Sequence, residues 1–407
     1  MKTLLIEGWR GVSHSIALVN QYQLLVMLGD AAWRQRWNVL HRDLPFFLKH
    51  WNARQMPAGF TTEEQARIDA VPVPTDGLVP DCLLRISSPF KSVVDPGVKT
   101  LTFMVTECGL VDDCFDARPA DVGAFTRGEN RIVTPSCWSR DRLLDYGIDP
   151  AGIAVVPHGV KTDVFTPLNP PDRVQGRAAL GISEDEVLFV NVGVATWNKG
   201  LDILIKAFAQ VRQAHPNARL LLKDHKALYG IGADRTLAQV ARENPGLVDG
   251  HVLAGISLVS GSLDQPQLRA LFGVADAYVS PYRAEGFNMP VLEAMACGTP
   301  VIVTGGGATD DFCPPELSTR LPSRPGTKAD EPNMFGSFRV PDSDALVHAM
   351  TEVISRRPPR NTPERTAARE QLLARYSWQA VTRSLTDLME PLPALASATQ
   401  PALEVAA

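Results

Sequence analysis

The sequence predicts an α/β protein of two domains, each built on a parallel β-sheet that is covered by helices. The chain has 407 residues, which is more than one ordinary hydrophobic core accommodates. Short apolar, β-prone segments alternate with helix-like segments, a pattern typical of parallel sheets. A segment rich in proline and glycine at 157–171 separates two such series, and the domain boundary is expected there.

The first half opens with a predicted strand at 4–7, a loop containing Gly8, Arg10 and Gly11, and a helix for which Ser13 or Ser15 is the expected cap. A strand, a glycine-containing loop and a helix form half of a doubly wound unit, whose ligands bind at the carboxyl end of the strand. The loop lacks the G-x-G-x-x-G spacing of dinucleotide-binding proteins. Further strands are predicted at 37–40, 81–86, 101–106, 131–134 and 153–156.

The second half repeats the alternation. A predicted strand at 187–192 leads into a loop at 193–200 (GVATWNKG) and a helix from Leu201, and the next strand, 220–223, ends on Lys223. A helix at 267–272 precedes the stretch 276–307, which predicts a strand, a loop, a short helix, a strand and a glycine loop. Pro290 is expected at the first position of the short helix. The segment 314–332 is predicted to be a long surface loop.

Two carboxylates frame the turn inside the stretch 276–307, Glu285 in the loop and Glu293 in the helix. Side chains on a helix lean toward its N-terminus, so Glu293 is expected to face the same space as Glu285. That space also receives free backbone N–H groups near Phe287, Asn288 and Met289, together with the positive end of the helix dipole. Amides suit an anion and carboxylates suit hydroxyl groups, and a sugar nucleotide requires both.

The run EGFNMPVLEAMACGTPVI, in which seven residues separate Glu285 from Glu293, resembles the signature of retaining glycosyltransferases of the GT-B fold, family 4. The resemblance covers most of the C-terminal half. It implies two Rossmann-like domains facing a central cleft, with a C-terminal helix that crosses back to the first domain. The alternative interpretation of the stretch is an ordinary β-α-β unit whose two acids are solvated.

The resemblance also implies an activity and a division of the chain. The implied reaction moves a sugar from a nucleotide diphosphate to an acceptor hydroxyl with retention of anomeric configuration. We predict an acceptor-side domain at 1–165, a nucleotide-sugar-binding domain at 172–375, a crossing helix at 376–390 and a poorly ordered tail at 391–407.

On the donor side, Lys199 matches the lysine of the family's phosphate-binding loop and is expected to neutralise the diphosphate. Val194 stands where the family usually has an arginine, and Lys223 is a candidate for the missing positive charge. Glu285 is expected to accept hydrogen bonds from the sugar hydroxyls, and Glu293 from the ribose hydroxyls.

On the acceptor side, Glu107 stands near the point where the family commonly has a histidine. It is expected to bind an acceptor hydroxyl or to stabilise positive charge at the anomeric carbon, with capping of its loop as the alternative. In the family, the loop with Gly8, Arg10 and Gly11 approaches the donor phosphates and the acceptor, and a plain surface turn is the alternative. Asn288 replaces the usual glycine, and it either caps its helix or touches the donor sugar.

Composition restricts the other classes of function. The net charge of −5 gives no electrostatic case for nucleic-acid binding. The six cysteines include no C-x-x-C pair, so reduced thiols are expected rather than a zinc site. No apolar run approaches the roughly 20 residues that span a bilayer, and the start lacks the apolar core of a signal peptide. A cytoplasmic location is the simplest expectation, and peripheral contact with a membrane surface stays open.

The expected partners are a UDP-, GDP- or ADP-sugar donor and an acceptor that is a carbohydrate, a lipid-linked glycan or a small molecule. No cofactor and no metal are expected. Two other functions stay open at this point. One is a GT-B synthase or phosphorylase that acts on a soluble sugar. The other is a non-catalytic binding protein with the same fold, which the substitution at Val194 favours.

Overall fold

The first of two parallel sheets is formed by the N-terminal part of the chain. The structure, a computed structural model, describes residues 1–54 and 56–390. The six strands run parallel in the order β2-β1-β3-β4-β5-β6. Their bounds are β1 Lys2–Gly8, β2 Trp37–Asp43, β3 Cys82–Ile86, β4 Lys99–Phe103, β5 Arg131–Thr134 and β6 Ile153–Val155.

The second sheet also has six parallel strands, in the order β12-β11-β10-β7-β8-β9, so the predicted α/β class with two sheets is confirmed. Its strands are β7 Val187–Val192, β8 Ala218–Asp224, β9 Ile256–Ser260, β10 Ala277–Ser280, β11 Val301–Thr304 and β12 Ser318–Leu321. A short antiparallel pair follows, β13 Ser323–Pro325 with β14 Arg339–Pro341. The strand order reverses between β7 and β10, and such a reversal opens a crevice at the carboxyl ends of the strands.

Helices cover both sheets. They are α1 Ser15–Gly29, α2 Ala31–Arg34, α3 Thr62–Asp69, α4 Cys137–Asp145, α5 Pro170–Ala179, α6 Leu201–Ala214, α7 Lys226–Tyr229, α8 Ala233–Glu243, α9 Gly250–Leu253, α10 Gln265–Val274, α11 Met289–Ala296, α12 Ser343–Arg356, α13 Pro363–Tyr376 and α14 Trp378–Asp387. The cap of α1 is His14, not Ser13 or Ser15, because the His14 imidazole accepts the hydrogen bond of the Ile16 N–H.

The prediction of a long loop at 314–332 is wrong in part, because β12 and β13 lie within it. No strand was predicted at Ile256–Ser260, where β9 lies. These two missed strands, β9 and β12, form the two edges of the second sheet. An edge strand is partly exposed, so its side chains include polar residues and lack the apolar run of an inner strand.

Helix α14 returns to the first domain, as the resemblance implied. Trp378 stacks on Tyr22 of α1, with ring centroids 4.7 Å apart and planes 15° apart. Trp378, Val381 and Leu385 belong to the same buried cluster as the first sheet. The predicted tail at 391–407 lies outside the described residues, and the domain boundaries at 165 and 172 stay predictions.

We expect Trp378→Ala to lower the free energy of unfolding by about 3 kcal/mol or more, because it empties a buried aromatic site between α14 and α1. Urea denaturation followed by circular dichroism measures the change. Gln379→Ala, on the exposed part of the same helix, is the matched control and should stay within about 0.5 kcal/mol of the wild type. Equal losses in the two variants would contradict the role given to α14.

Candidate active site

Two loops meet at the crevice where the strand order of the second sheet reverses. One loop follows β7 and carries Lys199, and the other follows β10 and carries Glu285. Gly200 has a φ of +68°, and a Cβ at this position would lie 2.0 Å from the carbonyl oxygen of Pro281. Only glycine allows this approach. The side-chain amide of Asn198 donates to the Ala284 carbonyl (3.1 Å), which fixes the two loops to each other.

A third loop, from the first domain, brings Glu107 to the same place. The Trp138 indole donates to the Glu107 carbonyl (2.6 Å), and the Thr106 N–H donates to Ser139 Oγ (2.8 Å). These bonds hold the backbone that follows β4. The side chain of Glu107 is therefore presented to the second domain.

The three residues predicted to act in catalysis form one ionic cluster. Lys199 Nζ lies 2.8 Å from Glu285 Oε2 and 3.1 Å from Glu107 Oε1. Asn198 Nδ2 donates to the other oxygen of Glu107 at 2.9 Å. Glu107 and Glu285 lie 92 and 86 positions from Lys199 in the chain, and both contact its ammonium group.

The charges of this cluster are set by burial and by one another. Burial alone would lower the pKa of Lys199, but the carboxylates of Glu107 and Glu285 outweigh it and raise that pKa, so the ammonium stays protonated. Burial raises the pKa of Glu285 above its ordinary value, and Lys199 opposes the rise. The site therefore holds one fixed positive charge between two acids, one of which is buried.

The start of α11 supplies donors for an anion. The backbone N–H groups of Phe287, Asn288 and Met289 have no hydrogen-bond acceptor among residues 1–54 and 56–390. Pro290 lies at the second position of α11, one residue later than predicted. The proposed capping by the Asn288 side chain is wrong. Its backbone is left-handed (φ 78°), and its amide donates to Ser280 Oγ at 3.0 Å.

Glu293 of α11 and Lys223 near the end of β8 are a second acid and base whose charges act on each other's pKa values. Burial raises the pKa of Glu293 to about 7, and Lys223 opposes the rise. Burial lowers the pKa of Lys223, whereas Asp224 and Glu293 act in the other direction. Lys223 is buried at the end of β8, and within the described parts of the chain its Nζ makes no hydrogen bond. It is an available cation next to the loop that follows β7.

Val194 occupies the position at which the family usually has an arginine, and its side chain is packed rather than facing an open space. Its side chain packs against an apolar cluster that includes Trp9, Trp51 and Leu228 and that joins the two domains. An arginine at this position would meet aromatic rings in the present arrangement. Lys223 therefore stays the candidate for the second cation.

Arg10, in the loop after β1, does not approach the donor side as the resemblance implied. Its guanidinium pairs with Asp43 (2.6 Å) and donates to the Ile68 carbonyl (2.9 Å), so the structure does not bring it to Lys199. Gly8 is closely packed, since a Cβ there would lie 2.7 Å from the Ile86 carbonyl oxygen, and Gly11 has a φ of +82°. A ligand role for Gly8, Arg10 and Gly11 stays a prediction.

Sequence reasoning missed three residues at this site. Asn198 donates to Glu107 and to the carbonyl of Ala284, the residue before Glu285. His14 meets Tyr229 across the cleft, with 2.8 Å between His14 Nε2 and the Tyr229 hydroxyl. An isolated histidine and an isolated tyrosine 215 positions apart carry no spacing signal. Asn198 had a signal, because it stands directly before the lysine of the recognised loop.

Two further findings concern the rest of the molecule. In the described part of the chain, no helix combines the length and the apolar character that a membrane crossing requires. Nor do the described residues include a cluster of three or more histidines, cysteines or acids arranged to hold a metal ion. The expectations of a cytoplasmic location and of metal independence stay predictions.

Comparison with known proteins supports the family assignment. Residues 172–313 match the family described as "Glycosyl transferases group 1". A D-inositol 3-phosphate glycosyltransferase from Geodermatophilus obscurus is 36% identical over 183 residues, which is 44% of this chain and 38% of that protein. A protein of the same name from Segniliparus rotundus is 34% identical over 187 residues, or 46% and 39% of the two chains. The chain thus spans about two fifths of the length of these curated relatives.

Solved structures share the fold over nearly the whole chain. HepE from Anabaena, solved in complex with UDP-glucose, superposes with a TM-score of 0.64 at 14% identity and covers 95% of this chain and 99% of that one. Sucrose-phosphate synthase from Thermosynechococcus elongatus gives a TM-score of 0.63 at 17% identity, with 95% and 98% covered. The chain therefore has the GT-B fold, and residues 172–313 are similar to the glycosyl transferases group 1 family.

Proposed function

We propose that the chain transfers a sugar from a nucleotide diphosphate sugar to an acceptor hydroxyl, with retention of anomeric configuration. The observation that carries the proposal is the Lys199 ammonium, held between Glu107 and Glu285 near the start of α11. In this proposal, each of these groups acts on the donor or the acceptor as the bond between the sugar and the diphosphate breaks.

The diphosphate is the leaving group, and negative charge develops on it as the bond to the anomeric carbon breaks. Lys199 and the N–H groups of Phe287, Asn288 and Met289 are available to stabilise that charge. Electrostatic groups already fixed in a water-poor site can each contribute a few kcal/mol to transition-state stabilisation. The arrival of the diphosphate gives Lys199 a new anionic partner in place of Glu107.

The sugar and the nucleoside are held by the two acids of the recognised motif. Glu285 accepts hydrogen bonds from the sugar hydroxyls, and its contact with Lys199 places the sugar next to the leaving phosphate. Glu293 accepts from the ribose hydroxyls, and Lys223, whose charge acts on the pKa of Glu293, is the second cation toward the phosphates. Uridine, guanosine and adenosine diphosphates remain the candidates, and the complex of HepE with UDP-glucose supports trying UDP first.

The acceptor hydroxyl attacks from the side of the cleft where Glu107 lies. Its oxygen bonds to the anomeric carbon as the bond from that carbon to the diphosphate breaks, and its proton passes to the departing phosphate. Attack on the face from which the diphosphate leaves preserves the anomeric configuration and needs no enzyme nucleophile. Glu107 then orients the acceptor or stabilises positive charge at the anomeric carbon. No metal takes part in this proposal.

A thermal-shift panel of UDP, GDP, ADP and dTDP and their sugars tests the function. A ligand at 100 times its dissociation constant stabilises a protein by about 2.7 kcal/mol, which is enough to rank the candidates. We expect one nucleotide series to stabilise the chain, and the same series to support transfer when EDTA is present. The absence of any shift would contradict the proposal and favour a protein that does not bind nucleotide sugars.

The replacement Lys199→Met should weaken binding of the selected nucleoside diphosphate by about 10- to 100-fold, because the diphosphate loses its charged partner. Titration calorimetry with the nucleoside diphosphate and with the nucleoside alone measures the effect. The nucleoside should bind equally well to both proteins. Lys91→Met is the matched control, since Lys91 pairs with Asp116 on the first domain. Unchanged diphosphate affinity in Lys199→Met would refute this role.

The raised pKa of Glu293 leads us to expect that the stability of the fold depends on pH. Its pKa rises from about 4.5 to about 7 on folding, so between these values the unfolded chain releases a proton that the folded protein keeps. The free energy of unfolding therefore falls as pH rises through this window, by up to about 3 kcal/mol.

Urea denaturation at pH 5 and pH 8 measures this dependence. Glu293→Gln should lose less stability than the wild type over the same interval, because glutamine does not titrate. Glu370→Gln, at an exposed position of α13, should behave like the wild type. An identical slope in Glu293→Gln and in the wild type would show that Glu293 does not titrate in this window.

A further inference from the structure

A group of aromatic side chains closes one side of the cleft and has no task in the proposed reaction. We call it the aromatic clasp, and it consists of Trp9, His14 and Trp51 from the first domain and Tyr229 from α7 of the second. Ring centroids are 5.4 Å apart for Trp9 and His14, 5.0 Å for His14 and Trp51, and 5.8 Å for Trp51 and Tyr229. The Trp51 indole also donates to the Leu228 carbonyl at 2.7 Å.

The hydrogen bonds of His14 fix its tautomer. The Ile16 N–H donates to Nδ1 at 3.2 Å, so Nδ1 carries no proton. Burial and the charge of Lys199 together lower the pKa of His14 to about 4, so the ring is neutral at physiological pH. The single ring proton therefore lies on Nε2, which donates to the Tyr229 hydroxyl at 2.8 Å.

This arrangement leaves the proton of the Tyr229 hydroxyl unused. The oxygen accepts from His14, and the structure gives the hydroxyl no acceptor of its own among residues 1–54 and 56–390. Burial raises the pKa of Tyr229 to about 12, and Glu107 adds to the rise, so the hydroxyl keeps its proton. Val194, in the loop that carries Lys199, packs against the same apolar cluster as Tyr229, so the pair lies beside that loop. The charges of Lys199 and Glu107 accordingly act on the pKa values of His14 and Tyr229.

The arginines that follow β1 and lie near the end of β2 are already paired. Arg10 pairs with Asp43 at 2.6 Å, and Arg42 pairs with Glu7 at 2.6 Å. Lys199 is shared between Glu107 and Glu285, and the proposed reaction assigns it to the diphosphate. The groups that the clasp and Glu107 themselves offer to an acceptor are therefore a carboxylate, a hydroxyl donor and apolar rings.

We propose that Tyr229 donates a hydrogen bond to the acceptor, that His14 is the positioning residue which aims it, and that the acceptor is an uncharged polyol. The inference rests on the proposed function. A sugar hydroxyl both donates and accepts, so it can donate to Glu107 and accept from Tyr229. A phosphorylated polyol would bring negative charge toward Glu107, and the aromatic clasp itself holds no cation to receive it. The rings of the clasp can cover the apolar face of a sugar.

The test compares wild type, Tyr229→Phe and His14→Phe in transfer from the nucleotide sugar that the thermal-shift panel selects. Tyr229→Phe keeps the ring contacts and removes only the hydroxyl. We expect it to raise the acceptor KM about tenfold, to change kcat by less than about threefold, and to leave the dissociation constant of the nucleoside diphosphate unchanged. His14→Phe should raise the acceptor KM in the same direction. Tyr146→Phe, which loses a hydrogen bond to Asp112 on the first domain, is the matched control.

The second arm compares acceptors at equal concentration. We expect transfer to myo-inositol or methyl glucoside and little transfer to inositol monophosphate. Preference for the phosphorylated polyol, or an unchanged acceptor KM in Tyr229→Phe with donor binding intact, would overturn the inference and leave the proposed function standing. A wild-type chain that binds no nucleoside diphosphate would instead overturn the proposed function itself.

Discussion

The Lys199 ammonium is the interaction on which the rest of the site depends. It is the positive member of a three-residue cluster whose acids come from different domains, Glu107 from the first and Glu285 from the second. A buried or half-buried cation of this kind is stable only when its charge is matched. The same charge is what a diphosphate needs. Lys199 therefore links the closure of the cleft to the chemistry proposed for it.

The fold places this cluster by a few backbone constraints. The reversal of strand order between β7 and β10 opens the crevice, and Gly200 lets the two neighbouring loops touch. Gly286 brings the second domain equally close to the first, since a Cβ there would lie 2.2 Å from a methyl group of Val105. The Ser136 hydroxyl donates to the Gly286 carbonyl at 2.7 Å across the same contact. The site is thus built from loops, and strands and helices set their separation.

The sequence predicted which donor-side candidates lie close together, because these residues are local in the chain. Glu285, Glu293 and the start of α11 lie within one short motif, and their spacing along the chain nearly determines their spacing in the fold. The acceptor side depends on long-range contacts, such as that of His14 with Tyr229, and no local sequence pattern predicts such a contact. The error at Asn288 has another cause. A left-handed backbone turns its side chain to Ser280, and residue type alone does not determine that conformation.

The most direct measurement is a double-mutant cycle on Glu107 and Lys199, read as the affinity for the nucleoside diphosphate. We expect Glu107→Gln to bind the diphosphate severalfold more tightly than wild type, because a competing carboxylate 3.1 Å from Lys199 is removed. We expect this gain to disappear in the Lys199→Met background. Unchanged or weaker binding in Glu107→Gln, or a gain that persists without Lys199, would contradict the exchange of partners at this ammonium.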